Sequence, residues 1–170
     1  MKVVSFNARS LRNKITDIMS FLDKNKVELA FIQETWLRKS DGHLTSQIRE
    51  YGYDIISYRK SRKLDFGGGV ALLYRNTLKV QSIKKSTYKS FEHIACKVVT
   101  ENGALNFFNV YRPEYSSKNR FTVNAFLSEF SRLLTDISCE ASPCFLVGDY
   151  NMHVELTEVM LDSSALSSHK

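Results

Sequence analysis

Apolar residues gather into short runs at residues 2–6, 27–33, 53–58, 70–75, 78–83, 93–100, 105–111 and 144–147. These runs are rich in Val, Ile, Phe and Tyr, which favour pleated, half-buried surfaces, and predict strands. Two other segments follow the helical period. Ile15, Ile18, Met19 and Leu22 form one apolar stripe, and Val123, Phe126, Leu127, Phe130, Leu133, Leu134 and Ile137 form a longer one. A shorter helix is predicted over residues 44–51. Glu101-Asn102-Gly103-Ala104 separates two strand runs, and Asn-Gly predicts a tight hairpin with a type I′ turn.

The order is therefore strand, helix, strand, short helix, several hairpin-type strands, helix, strand. The middle of the chain lacks the crossover helices that a continuous parallel sheet needs. An α/β architecture fits better, with mixed sheets carrying helices on their outer faces. Residues 154–170 contain four serines and no strand run, and are expected to form a divergent tail beyond a domain covering 1–153.

Composition narrows the class. With 43% hydrophobic and 12% aromatic residues, the 170-residue chain can bury a core, which argues against disorder. No apolar stretch approaches the ~20 residues that span a bilayer, so no membrane segment is predicted. The N-terminal apolar run is too short for a signal peptide. Three cysteines without CxxC spacing indicate neither a disulfide framework nor a zinc site, and an intracellular location is expected. The net charge of +6 is compatible with a polyanionic partner such as nucleic acid, though it does not select one.

Candidate chemistry lies where three apolar runs end. Val3-Val4-Ser5-Phe6 meets Asn7, Leu29-Ala30-Phe31-Ile32-Gln33 meets Glu34, and Cys144-Phe145-Leu146-Val147-Gly148 meets Asp149, with Asn151 two residues on. For any one of them, strand capping is a sufficient explanation, because Asn and Asp begin turns everywhere. Together they would form a hard, all-oxygen donor set of the kind that holds Mg²⁺ (or Mn²⁺) through one or two carboxylates. Such a site requires the tips of Asn7, Glu34 and Asp149 to lie within ~10 Å of one another.

Five blocks carry a wider resemblance: Ser5-Phe6-Asn7-Ala8-Arg9-Ser10-Leu11, Ile32-Gln33-Glu34-Thr35-Trp36-Leu37, Gly67-Gly68-Gly69-Val70-Ala71, Asn109-Val110-Tyr111-Arg112-Pro113 and Gly148-Asp149-Tyr150-Asn151. In order and spacing they resemble the endonuclease/exonuclease/phosphatase superfamily, and most of all the N-terminal apurinic-type endonuclease of LINE-type (non-LTR) retrotransposons. The resemblance implies a four-layer α/β/β/α sandwich, incomplete at the C-terminus, in which two mixed sheets pack face to face. It implies that Glu34 is the principal metal ligand with Asn7 beside it, and that Tyr111 hydrogen-bonds the scissile phosphate. It further implies that Asp149 positions or deprotonates the attacking water and that Asn151 orients Asp149 and the phosphate. DNA is the implied substrate and a reverse transcriptase the implied fusion partner, for which the nucleus would be a suitable location.

The family's second catalytic Asp and its Ser-Asp-His segment are not found after Asn151. Ser167-Ser168-His169 echoes that segment with Ser in place of Asp. His153 reads as a loop residue and His93 as a packed one. The expectation is a truncated domain with weak or no activity, because a positioned proton-transfer group contributes ~10²–10⁴ in rate. Two alternatives stay open: a non-catalytic nucleic-acid-binding module or remnant, and a phosphatase or phosphodiesterase of the same fold acting on another ester.

Arg59, Lys60, Arg62 and Lys63 form a basic cluster, and Lys79, Lys84, Lys85 and Lys89 a second basic region. Both fit either phosphate-backbone contact or a solvated edge. Trp36 and Tyr115 fit either base stacking or packing. The Gly67–Gly69 run fits either close backbone packing or contact with substrate.

Overall fold

The computed structural model describes residues 1–38, 40–60, 67–83, 86–114 and 121–152. The elements are β1 (Val3–Asn7), α1 (Ile15–Lys24), β2 (Leu29–Gln33), α2 (Gly42–Glu50), β3 (Tyr53–Tyr58), β4 (Val70–Arg75), β5 (Lys79–Ile83), β6 (Glu92–Thr100), β7 (Gly103–Tyr111), α3 (Val123–Ser138) and β8 (Cys144–Asp149). Every strand and helix expected from the apolar pattern is present. The sheets run β1-β2-β4-β3 and β5-β6-β7-β8. Each is mixed: β1 pairs parallel with β2 and β7 parallel with β8, and the other neighbours are antiparallel.

Strand alternation divides the core into three layers. Leu29, Phe31, Val70 and Leu72 of the first sheet face Ile94, Cys96, Val98, Phe107 and Tyr111 of the second. On the outer face of the first sheet, Ala30, Ile32 and Leu73 meet Ile15, Ile18, Met19 and Leu22 of α1 and Leu44 and Ile48 of α2. On the outer face of the second sheet, Ala95, Phe108 and Val110 meet Phe126 and Leu133 of α3. β2 is buried at all five positions because both of its faces are covered. The result is the α/β/β/α sandwich.

Two expectations change in detail. The 101–104 hairpin is tight, with Thr100 opposite Gly103, but it is not type I′. Positive φ falls on Gly103 alone (+118°), not on Glu101 or Asn102, so the glycine absorbs the unusual conformation and Asn102 does not. The long helix α3 begins at Thr122, whose hydroxyl accepts from Ala125 N (3.2 Å). Its apolar stripe is only half covered. Phe126 and Leu133 are buried, whereas Val123, Leu127 and Leu134 are 45%, 44% and 43% exposed. Cys96, Cys139 and Cys144 are free thiols. Among the described residues no helix is long and apolar enough to cross a membrane. Residues 153–170 lie outside the described residues, as do Arg62, Lys63, Lys84, Lys85 and Tyr115.

Candidate active site

Sheet register brings the site together. The parallel pair β1–β2 places Asn7 opposite Gln33, so Glu34 emerges one residue beyond Asn7's neighbour. The parallel pair β7–β8 places Tyr111 opposite Asp149. These strand ends belong to different sheets, and they meet because the sheets stack face to face. The loops beyond them stay in register through Ala8 N to Gln33 O (2.9 Å) and Ser10 N to Glu34 O (2.8 Å).

Backbone strain concentrates in the same place. Among the described residues, five of the six non-glycine residues at positive φ (Arg9, Ser10, Glu34, Trp36 and Asn151) follow β1, β2 or β8. Each such residue costs of order 1–3 kcal/mol and persists only where its surroundings over-determine it. A glycine run supplies part of that restraint. Thr35 N donates to Gly69 O (3.1 Å) and Trp36 N to Gly68 O (3.0 Å). A Cβ on Gly69 would sit 2.3 Å from Thr35 Oγ1. Within the run, Gly68 and Gly69 thus serve close packing against Thr35 and Trp36, whereas Gly67 has open space around it. Buried Glu92 holds the same strand by accepting from Gly69 N, and it also accepts from Lys60 N (3.1 Å).

At the centre, Asn7 Nδ2 donates to Glu34 Oε1 (2.9 Å) and to Asp149 Oδ2 (2.8 Å). The two carboxylates share one nitrogen, so their oxygens are no farther apart than those two bonds laid end to end, well inside ~10 Å. Tyr111 Oη donates to Glu34 Oε1 (3.1 Å), and Arg9 N to Asn7 Oδ1 (2.9 Å). Asn151 N donates to Asp149 Oδ1 (3.1 Å), and its Nδ2 donates to Arg112 O (2.7 Å). Asn7, Glu34, Tyr111, Asp149 and Asn151 line one polar cavity of about 440 Å³, together with Arg9 and Glu114.

The donor chemistry fits a hard divalent cation. Among the described residues neither Glu34 nor Asp149 has an ion-pair partner, although both lie within hydrogen-bond distance of one amide. An amide presents oxygen in place of nitrogen after rotation about its last side-chain bond, so Asn7 can turn from donor to ligand. Among the described residues no group of three or more His, Cys, Asp or Glu side chains could hold a metal. The sparse set of Glu34 and Asn7 suits Mg²⁺ or Mn²⁺, which keep several waters, more than it suits zinc.

The basic residues behave differently. Arg59 Nη1 donates to Leu37 O (3.2 Å) and Lys60 Nζ to Lys89 O (2.7 Å), and neither residue lines the cavity. Trp36 is half-buried, and among the described residues its enclosed Nε1 has no acceptor. His93 packs against Tyr88 and Phe91, at centroid distances of 5.2 and 5.8 Å.

Sequence reasoning missed several residues that hold the site. Arg112 is 5% exposed, and its Nη1 donates to Tyr150 O (3.1 Å) and Asn151 O (2.8 Å) while its guanidinium lies over the Phe126 ring. With Arg112 N to Asp149 O (2.9 Å), this one residue ties the end of β7 to the loop after β8. Arg9 and Glu114 enter the cavity from loops, where no period marks them. Gln33 and Asn109 meet in the core directly below the site.

The chain belongs to the Endonuclease/Exonuclease/phosphatase family, whose model matches residues 4–168. It is 27% identical over 112 residues to the "Probable RNA-directed DNA polymerase from transposon BS" of Drosophila melanogaster. That match covers 65% of this chain and 12% of the relative, so the chain spans a small part of that protein. In fold it is similar to an AP endonuclease from Archaeoglobus fulgidus, with a TM-score of 0.66 and 18% identity over 92% of this chain and 59% of the other. It is also similar to a variant of the 3' phosphatase NExo from Neisseria bound to product DNA hairpin, with a TM-score of 0.62 and 16% identity over 89% of this chain and 58% of the other.

Proposed function

We propose that this chain is the larger part of a metal-dependent endonuclease module of retroelement origin, which nicks DNA by hydrolysing a phosphodiester. The observation that carries the reading is the Asn7 amide joined to both Glu34 and Asp149, with Tyr111 on Glu34, at the rim of one polar cavity. The transposon relative and the DNA-bound neighbour support DNA as the substrate.

Glu34 and Asn7 would hold Mg²⁺ or Mn²⁺. Bound there, the cation supplies Lewis-acid stabilisation of the charge that develops on the phosphate oxygens. The protein's own groups do the rest. Tyr111 offers its hydroxyl to a non-bridging oxygen, a hydrogen bond that strengthens as charge grows. Asp149 accepts the proton of the attacking water, and the backbone N–H of Asn151 holds its other oxygen fixed. The Asn151 side chain is anchored on Arg112 O, so Asn151 acts chiefly through the loop it locks. Among the described residues no histidine lines the cavity, so the group that protonates the leaving oxygen is not one of them. In the parent protein a reverse transcriptase would use the nick.

Conversion of supercoiled plasmid to open circles is a sensitive assay, because a single cut changes the topology. Mg²⁺-dependent nicking by the chain, abolished in the Glu34→Ala, Asp149→Ala double variant, is expected. Equal nicking by both proteins would overturn the proposal.

A further inference from the structure

Below the site, two buried amides interrupt the apolar layer between the sheets. Asn109 is 0% and Gln33 1% exposed. Gln33 Nε2 donates to Asn109 Oδ1 (2.6 Å) and to Ser5 Oγ (3.2 Å), and Asn109 Nδ2 donates to Ile32 O and Ala71 O (3.2 Å each). A single residue of β7 is therefore hydrogen-bonded, directly or through Gln33, to β1, β2 and β4 of the facing sheet.

Stability alone gives little reason for this arrangement. A buried hydrogen-bonded pair replaced on both sides by apolar groups of similar shape is often neutral or stabilising. What the pair adds is direction. Apolar contact between sheets is non-directional and tolerates sliding, whereas hydrogen bonds weaken steeply with angle and distance. The neighbours of this pair make that restraint matter. Gln33 immediately precedes Glu34, and Asn109 shares its strand face with Tyr111 two residues on, so the pair lies one layer below the Tyr111–Glu34 contact. Each half of the catalytic set belongs to a different sheet, and a shift between the sheets separates Tyr111 and Asp149 from Glu34 and Asn7.

We infer that Gln33 and Asn109 are positioning residues: their amide bridge locks the two sheets in the one relative placement that assembles the site. The inference deepens the phosphodiesterase reading and rests on it for its consequence in catalysis, but its main measurement does not use catalysis. The chain is labelled with 3-fluorotyrosine, and the Tyr111 signal is identified by its loss in Tyr111→Phe. Glu34→Gln, which alters the acceptor of the Tyr111 hydroxyl, should move that signal in the otherwise native chain.

In the Gln33→Leu, Asn109→Leu background the protein should still unfold cooperatively near the native Tm, while the response of Tyr111 to Glu34→Gln is largely lost. Exchanging the amides (Gln33→Asn with Asn109→Gln) should restore part of the response. Where nicking is measurable, the double Leu variant should lose ~10–100-fold in kcat with little change in KM, the range seen when supporting residues of a site are removed. A full Tyr111 response in a folded double Leu variant would overturn the inference. So would loss of the response only in step with loss of Tm and without recovery in the exchanged variant, since the bridge would then serve stability alone. A native chain with the coupled Tyr111 signal but no metal-dependent nicking would instead remove the phosphodiesterase proposal and leave the bridge standing.

Discussion

The packing of the glycine run can be tested by adding one methyl group. Gly69 has φ +93°, and a Cβ there would lie 2.3 Å from Thr35 Oγ1 and 3.6 Å from Trp36 N. Gly67 has φ +79° with nothing within 4 Å of its Cβ position. The two sites share the backbone cost of a left-handed conformation, ~1–2 kcal/mol, offset by ~0.4–1 kcal/mol from the stiffer unfolded chain. Gly67→Ala should therefore cost about 1.6 kcal/mol or less. Gly69→Ala adds the collision with a threonine that is 1% exposed and cannot swing outward. Relief requires the Thr35–Trp36 segment to move off the glycines, weakening the bonds from Thr35 N and Trp36 N at ~0.5–1.5 kcal/mol each. The expected total is about 1–5 kcal/mol, a large share of the ~5–15 kcal/mol that stabilises a domain.

Urea denaturation of both single variants and of Thr35→Ala, Gly69→Ala separates the contributions. The double variant removes the hydroxyl that collides, so it should recover ~1–3 kcal/mol of the Gly69→Ala loss relative to additivity, with the backbone cost remaining. Equal destabilisation at Gly67 and Gly69, or no recovery in the double variant, would refute the packing argument. Unchanged stability with weakened DNA binding would return the glycine run to substrate contact.

Two further outcomes concern ionisable groups. Burial pushes the Cys96 thiol up to about 12, and a hydrogen bond from the Phe107 backbone offsets little of this, whereas Cys139 is exposed. At pH ~8 a maleimide should label Cys139 in the native protein and reach Cys96 only on unfolding, as read by mass spectrometry of the tryptic peptides; equal labelling rates would refute this. Glu129 of α3 accepts from Lys89 N (3.0 Å) and from Ser90 N and Oγ (2.7 and 2.6 Å). Burial alone would raise its pKa, but these hydrogen bonds and the charge of Lys60 together hold it below the usual carboxylate value. Its stabilisation is therefore complete above the unfolded-state value of ~4.3 and is lost as pH falls through the lower folded value. The Tm difference between the native chain and Glu129→Gln should shrink as the pH is lowered from ~6 to ~3, and a constant difference would refute the argument.

The elements and the outline of the site were legible because both rest on local signals. β2 and β4 read as strands from unbroken apolar runs, since burial on both faces removes the polar positions that would otherwise interrupt them. Asn7, Glu34 and Asp149 were visible as polar residues that end such runs, a position that register converts into proximity. The hairpin was misassigned because Asn-Gly marks a turn without saying which of its residues takes the positive φ. The residues that brace the site were harder to find. Arg112 reads as an ordinary basic residue after a strand, and only the fold shows its guanidinium turned inward over Phe126 to cap two carbonyls of the loop after β8.

Gln33 and Asn109 did leave a trace in the sequence. Phe107, Asn109 and Tyr111 occupy alternate positions of one run, as do Leu29, Phe31 and Gln33 of another, so each amide stands on a face whose other members are apolar or aromatic. A polar side chain on a buried strand face needs a partner, and among nearby buried groups the partner is most readily another such residue on the opposing sheet. Local pattern alone cannot choose that partner, because the pairing links residues 76 positions apart and depends on how the sheets stack. The same dependence explains why the amide pair bears on the site. Interactions within a strand set which residues reach its end, while interactions between sheets set whether the ends of β2 and β7 arrive close enough for Tyr111 to bond Glu34.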